Sequence, residues 1–358
     1  GAKETYFATN GTSTSNKIVV QALCRPGDIV LIDRDCHKSH HYGLVLSGAR
    51  PVYLDAYPLP EYGFYGAVPL RSIKRQLLEF KRAGRLDEVR MLLLTNCTFD
   101  GIVYHPMRVM QEILAIKPDM VFLWDEAWFA SAQAYPTLRR RNAMWAASRL
   151  RGLMDTSFYR AQYADWRAWF DTLDPDDDAT WLDNALLPDP DQTPVRVYAT
   201  QSTHKSLSAL RQGSMIHHWD EHFASDVAES FHEAYFTHTT TSPNYQILAS
   251  LDLARRQVEL EGYGRMSNAI QMALVVRQQV AQDPLLNRYF SVLDPADMIP
   301  PEYRDTDLSY RDKAGMRGPI DVMNAFYTDE MVLDPTRLTL YVAETGVSGD
   351  AFKVDDLM

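Results

Sequence analysis

Several things are scarce in this 358-residue chain, and each scarcity excludes something. Cysteine occurs three times, at Cys24, Cys36 and Cys97. The number is odd and no C-x-x-C is present, so neither a disulfide framework nor a cysteine zinc site is supported. A reducing compartment, and with it a cytoplasmic location, is the expectation. No apolar run is long enough to span a bilayer, and the N-terminus lacks the pattern of a signal peptide. Positive charge is in deficit, with 36 Lys and Arg against 47 Asp and Glu and a formal net charge of −11. Non-specific nucleic-acid binding needs a basic surface, so it is not expected. Neither G-x-x-x-x-G-K-[ST] nor G-x-G-x-x-G occurs. There is no fixed-period repeat and no low-complexity segment.

What is present is ordinary for a soluble globular protein: 46% hydrophobic and 23% charged residues. This length can bury a sizeable core. The chain opens without Met and stops at "AFKVDDLM" with no closing element, as expected of a piece of a longer protein.

Short apolar runs alternate with amphipathic stretches over the first two-thirds. "TYFATN", "DIVLID", "RPVYLD", "VRMLLLTN" and "MVFLWDEA" read as strands. "GTSTSNKIVVQALC", "CHKSHHYGLVLSG", "PLRSIKRQLLEFKRAG" and "MRVMQEILAIK" read as the helices between them. Such alternation implies βαβ units and a mostly parallel, buried sheet. Residues 139–195, rich in Trp and Asp, break the pattern and read as one or two surface helices and an irregular loop. "VRVYATQS" and "GSMIHHW" resume as strands. Residues 243–281 read as two helices punctuated by Gly262 and Gly264. "RLTLYVAET" reads as a late strand.

Five stretches carry candidate chemistry, each with an ordinary alternative. "NGTSTSNK" is a small-residue loop entering a helix, either an anion site or a hydroxyl-rich cap. "RDCHKSHHYG" holds His37, His40 and His41. His37 and His41 are four apart and share a helical face, but no acidic third metal ligand stands nearby. Stacking of one ring on a planar cofactor is the more useful role. "MVFLWDEAWFA" puts Asp125 at the carboxyl end of a buried strand, where α/β sheets bind ligands; a helix cap is the alternative. "STHKSL" puts Lys205 just after a strand, either as an imine-forming amine or as a solvated lysine. "HTTTSPNY" is a second hydroxyl-rich turn before a helix. Their order matters more than any one of them. An anion loop, a ring, a strand-end carboxylate and a lysine, in that sequence, are what pyridoxal 5′-phosphate requires.

These same segments, together with "TNCTFDGIVY", resemble the major domain of the bacterial ornithine/lysine/arginine decarboxylases, over residues 1 to about 140 and about 195 to 345. The resemblance implies an aspartate aminotransferase-like α/β fold (fold type I) with a mostly parallel mixed sheet flanked by helices. It implies pyridoxal 5′-phosphate held as a Schiff base by Lys205, with Asp125 on the pyridinium nitrogen and His37 on the ring face. Thr12, Ser13, Ser202 and His204 would face the phosphate, and Trp128 would stand beside the cofactor. Thr240 would reach the phosphate of a neighbouring subunit, so a homodimer follows, with higher oligomers of dimers left open. No metal, nucleic-acid or membrane partner is implied. The activity implied is α-decarboxylation of lysine, ornithine or arginine to the amine and CO2, serving polyamine supply or acid resistance. Another fold type I reaction, of aminotransferase, aldolase or oxidase type, is the alternative. A cofactor-free regulatory protein fits poorly with an intact Lys205, Asp125 and His37. The expected organisation is a major domain over 1–290 with an insertion at about 139–195. Residues 291–358 then lead toward a C-terminal domain outside the chain, as the family's N-terminal wing domain is.

Overall fold

The computed structural model describes residues 1–310 and 320–342, with 320–323 as backbone only. Seven strands form the main sheet: β1 (Glu4–Ala8), β2 (Ile29–Asp33), β3 (Arg50–Leu54), β4 (Val89–Thr95), β5 (Val121–Asp125), β6 (Arg196–Ser202) and β7 (Ser214–Asp220). Their order is β1-β7-β6-β5-β4-β2-β3. The pairs from β3 across to β6 are parallel, whereas β6–β7 and β7–β1 are antiparallel. This is the mostly parallel mixed sheet that the alternating pattern implies.

Helices cover both faces, and strand alternation explains how one apolar run serves both. On β4, Met91 and Leu93 pack with Ile18 and Val19 of α1 (Thr12–Leu23), Leu44 of α2 (Lys38–Ser47) and Phe231 of α7, whose span is Ala228–His238. Leu92 and Leu94 face the other way. They join Leu77 of α3 (Leu70–Arg82), Ile113 of α4 (Pro106–Ile116) and Leu150 of α5 (Ala143–Met154).

Two segments differ from the sequence reading. Residues 143–154 are not a surface helix: Ala146, Ala147, Leu150 and Met154 are buried in the core. The helix that does sit at the surface is α6 (Ser157–Phe170). It turns Tyr159 and Phe170 inward, Phe170 meeting Trp181 edge-on at 5.0 Å, while Phe158 and Trp169 stay exposed. The second difference is that residues 245–282 form one continuous helix, α8 (Tyr245–Gln282), rather than two. Gly262 breaks nothing. A Cβ there would stand 2.8 Å from the Cβ of Ala134, so glycine lets the helix lie against the turn Ala130–Ala134, and Tyr263 stacks on Tyr135 beside it. Glycine inside a helix costs about 1 kcal/mol, which this close packing offsets. Of "RLTLYVAET", Leu340–Tyr341 forms a short strand and residues 343–345 lie outside the described residues.

Arg141 joins the core to the last described helix, α9 (Ile320–Thr328). It is fully buried, and its guanidinium donates to the carbonyls of Ala325, Phe326 and Asp329 at 2.7–2.9 Å and of Glu330 at 3.4 Å. A helix C-terminus has carbonyls with no partner inside the helix. Here one arginine fork serves several of them.

Candidate active site

The parallel strands β2, β4, β5 and β6 end on one edge, and there the sheet order places a crevice. A cleft of about 590 Å³ opens at this edge, within the usual size of a small-molecule site. It gathers Thr12 and Ser13 from the start of α1, and His37 from the start of α2. It also gathers Asp125 and Trp128 from the end of β5, and Ser202, His204 and Lys205 from the end of β6. Thr12 and Lys205, 193 positions apart in sequence, thus share one cavity. Thr240 does not line it. It is exposed, and its hydroxyl accepts the Ser242 N–H at 3.0 Å.

Asp125 is the last residue of β5, in register with Thr95 of β4 and Thr200 of β6. Its carboxylate is buried and well supplied with donors. His40 Nε2 lies 2.7 Å and Asn16 Nδ2 3.0 Å from Oδ2, and the Ala127 N–H donates to Oδ1 at 3.0 Å. Burial alone would raise its pKa. His40, the Ala127 amide and Asn16 more than offset this and hold it below the usual carboxylate range. Asp125 is therefore an anion with a fixed orientation.

Lys205 sits in the single turn Thr203–Ser206 that follows β6. Its Nζ stands 4.5 Å from the centroid of the Trp128 ring, and the Arg337 guanidinium stands 4.6 Å from the same centroid. Burial lowers its pKa; Asp125 works against that, and Arg337 adds to it. The amine is thus more readily deprotonated than that of a solvated lysine. His37 is the N-cap of α2, its Nδ1 accepting the Ser39 N–H at 3.2 Å. Burial lowers its pKa as well, which favours the neutral ring.

The opposite feature is the start of α1. Gly11 leads it at φ 76°, a left-handed conformation open to glycine at no steric cost. No side chain caps this helix and its first turn carries no acidic residue, so it suits a phosphate. Thr12 Oγ1 and Ser202 Oγ are 2.5 Å apart at this end. His204 Nδ1 lies 3.1 Å from the Gly213 carbonyl. Among the described residues, the buried Thr95 hydroxyl in the cleft has no hydrogen-bond partner. An uncapped helix start with hydroxyls, an anionic carboxylate and an amine of lowered pKa fit pyridoxal phosphate. No group of three or more His, Cys, Asp or Glu among the described residues could hold a metal ion.

Four site residues escape the sequence reading: Asn16, His40, Glu126 and Arg337. Of the three histidines in "CHKSHH", His40 is the one on Asp125, while His41 turns outward toward Tyr53. Glu126 follows Asp125 just past the end of β5 and points away from the cleft, its own amide bonded to the Thr200 carbonyl at 2.9 Å. Its oxygens take four donors: Asn96 Nδ2 at 3.0 Å, Asn142 Nδ2 at 2.8 Å, Gln201 Nε2 at 2.8 Å and the Ala143 N–H at 2.7 Å. Burial pushes its pKa up to about 7, against the pull of those donors. Glu126→Gln would turn an NH2 onto two of them. The expected loss of stability is about 1–3 kcal/mol for each stranded donor, read from urea melts of the two proteins.

A mostly parallel sheet with an antiparallel end, carrying a lysine and a buried aspartate at its carboxyl edge, defines an aspartate aminotransferase-like domain, the fold type I of pyridoxal-phosphate enzymes. Residues 1–157 and 182–353 match the family described as Orn/Lys/Arg decarboxylase, major domain. The chain belongs to that family. It is 30% identical over 352 residues to lysine decarboxylase LdcA of Pseudomonas aeruginosa, covering 95% of this chain and 40% of that protein. It is also 30% identical to the biodegradative arginine decarboxylase of Escherichia coli, over 79% of this chain and 32% of the relative. The inducible ornithine decarboxylase of the same organism is 30% identical over 72% of this chain and 31% of its own length. The solved structure of lysine decarboxylase A from Pseudomonas aeruginosa superposes with a TM-score of 0.66 at 27% identity, covering 96% of this chain and 41% of that one. The chain thus spans less than half the length of these relatives. Within the matched span only residues 158–181 fall outside the family match, and they comprise most of α6 and the turn to Trp181.

Proposed function

We propose that this chain forms the cofactor-binding part of a decarboxylase that acts on a basic amino acid, lysine, ornithine or arginine, and yields the amine and CO2. The observation that carries this reading is the meeting of Lys205, Asp125, His37 and the uncapped start of α1 in one cleft. Pyridoxal phosphate, when bound, supplies an electron sink for the pair released as the bond from Cα to the carboxylate breaks. The chain's own residues do the rest. Lys205, whose pKa is lowered by burial, would be the amine that holds the cofactor. Asp125 keeps its negative charge and would face the ring nitrogen. His37 would lie on the ring face, with Trp128 beside the cofactor. Thr12, Ser13, Ser202 and His204 hold the phosphate, with the N–H groups at the start of α1.

Thr240 has no part in the cleft of its own chain, and we assign it to the phosphate of a second subunit in a homodimer. The three relatives divide among lysine, arginine and ornithine, so the substrate class rather than one substrate is assigned. The reaction consumes a proton, which suits polyamine supply or acid resistance in the cytoplasm.

The test is to incubate the purified protein and pyridoxal phosphate with lysine, ornithine and arginine in turn. CO2 and the matching diamine or agmatine are expected with at least one of them. A keto acid in place of CO2 would assign aminotransfer instead. No product with any of the three, from a protein that has bound the cofactor, would overturn the reading.

A further inference from the structure

Asn16 lies in the second turn of α1, 1% exposed. Its amide nitrogen carries two hydrogens and lies 3.0 Å from Asp125 Oδ2, 3.0 Å from Ser39 Oγ and 3.2 Å from His40 Nε2; with His40 Nε2 turned to the carboxylate, Asp125 and Ser39 are its acceptors. Its amide oxygen accepts the Thr200 hydroxyl at 2.5 Å. That contact fixes which way the amide points. Turned over, Asn16 would set its oxygen against the Asp125 carboxylate and leave the Thr200 proton without an acceptor.

The Ser39 hydroxyl accepts from Asn16 and passes its own proton to Nδ1 of His37, 2.8 Å away. His37 Nδ1 is therefore an acceptor, and the neutral ring carries its hydrogen on Nε2. His40 reaches the same oxygen, with Nε2 2.7 Å from Oδ2 and 3.2 Å from Asn16 Nδ2. Its Nδ1 is buried with no hydrogen-bond partner among the described residues. His40 thus meets the carboxylate through Nε2 alone. It helps to orient Asp125.

We propose that Asn16 is a positioning residue that fixes two grips on the cofactor ring together: the carboxylate of Asp125 at the ring edge and, through Ser39, the imidazole of His37 on the ring face. This rests on the pyridoxal-phosphate reading of the cleft. Asn16 touches neither cofactor nor substrate. It adds a second link between the end of β5, with Asp125, and the start of α2, with His37, beside the direct contact of His40 with Asp125. Groups behind a ligand contact set its geometry, and their loss commonly weakens binding by about 10- to 100-fold.

The experiment compares the wild type with Asn16→Asp, Ser39→Ala and the double variant. Pyridoxal phosphate affinity is read by fluorescence titration. The pH dependence of the bound cofactor's absorbance and the melting temperature of each cofactor-free protein are read alongside. Asn16→Asp replaces both donors by oxygen and sets a carboxylate beside Asp125. Its Kd is expected to rise about 10- to 100-fold, and the pH dependence of the absorbance is expected to move as Asp125 takes up a proton more readily. Ser39→Ala cuts only the branch to His37. It is expected to raise Kd by a smaller factor, about threefold to tenfold, and to leave that pH dependence in place, an effect absent from the Asn16→Asp background.

Equal Kd and an equal pH profile in wild type and Asn16→Asp would overturn the proposal, as would additive effects in the double variant. So would a rise in Kd that comes with unchanged pH dependence and a fall in melting temperature, since that marks a merely structural residue. If Asn16→Asp does not fold, Ser39→Ala decides alone, and an unchanged Kd there overturns the proposal. A wild type that takes up no pyridoxal phosphate would overturn the underlying reading of the cleft. Normal uptake by the wild type with unchanged uptake by the variants would overturn the role of Asn16 alone.

Discussion

Lys205→Ala is expected to remove the visible absorbance of protein-bound pyridoxal phosphate and to cut decarboxylation on the order of a thousandfold or more. The physical reason is specific to this amine. Lys205 makes no ion pair among the described residues, and burial with Arg337 nearby depresses its pKa. Its Nζ lies over the Trp128 ring. Such a lysine gives little to folding and much to chemistry. The cofactor-free variant is therefore expected to melt within about 0.5 kcal/mol of the wild type, as substitutions that break no buried contact do. Lys205→Arg is the useful companion. It keeps the charge over Trp128, but a guanidinium does not lose its proton to act as a nucleophile. Both variants should be inactive and well folded. A Lys205→Ala protein that kept its absorbance and its turnover would show that the cofactor is attached elsewhere.

The largest stability effect is expected at Arg141. Arg141→Met fills much of the same space but withdraws every donor from the carbonyls of Ala325, Phe326, Asp329 and Glu330. Hydrogen bonds to a charged donor are worth roughly 1.5–3 kcal/mol each, and buried carbonyls left without a partner add a cost. Loss on the order of 4 kcal/mol is expected, a large share of a domain's total stability. Arg141→Lys should recover only part of it, because one ammonium cannot reproduce a planar fork across several carbonyls. Chemical denaturation of all three proteins checks the ranking. The effect should also reach the cleft, since the Arg141 carbonyl accepts from Asn96 at 2.9 Å and Asn96 in turn holds Glu126. Equal midpoints for wild type and Arg141→Met would show that α9 does not depend on this arginine.

The strands are legible in the sequence because their runs are apolar on both faces. The order of "NGTSTSNK", "CHKSHH", "WDEAW" and "STHKSL" is legible because each motif closes a strand or opens a helix. What the sequence hides is which neighbour each side chain meets. Three histidines within five positions offer three rings, and only the contact between α2 and β5 selects His40 for Asp125. Asn16 reads as one more polar residue at a helix start until Thr200, 184 positions away, orients it. Gly262 resembles a helix end because glycine is a weak helix former; tertiary packing against Ala134 outweighs the propensity. Residues 143–154 resemble part of an insertion because their charged neighbours mask a buried stripe.

The sheet order also sets a timetable. β1 pairs with β7, Glu4 opposite His218, so the first strand synthesised cannot find its neighbour until more than 200 residues have followed it. Contacts of such sequence separation are slow to form. The phosphate end of the cleft begins where β1 ends, and the lysine lies in the turn between β6 and β7. The two halves meet where Thr12 and Asn16 of α1 reach Ser202 and Thr200 of β6. On the proposed reading of the cleft, a newly made chain would grip pyridoxal phosphate at both ends only after this long-range pairing is in place, so cofactor uptake would report on late folding.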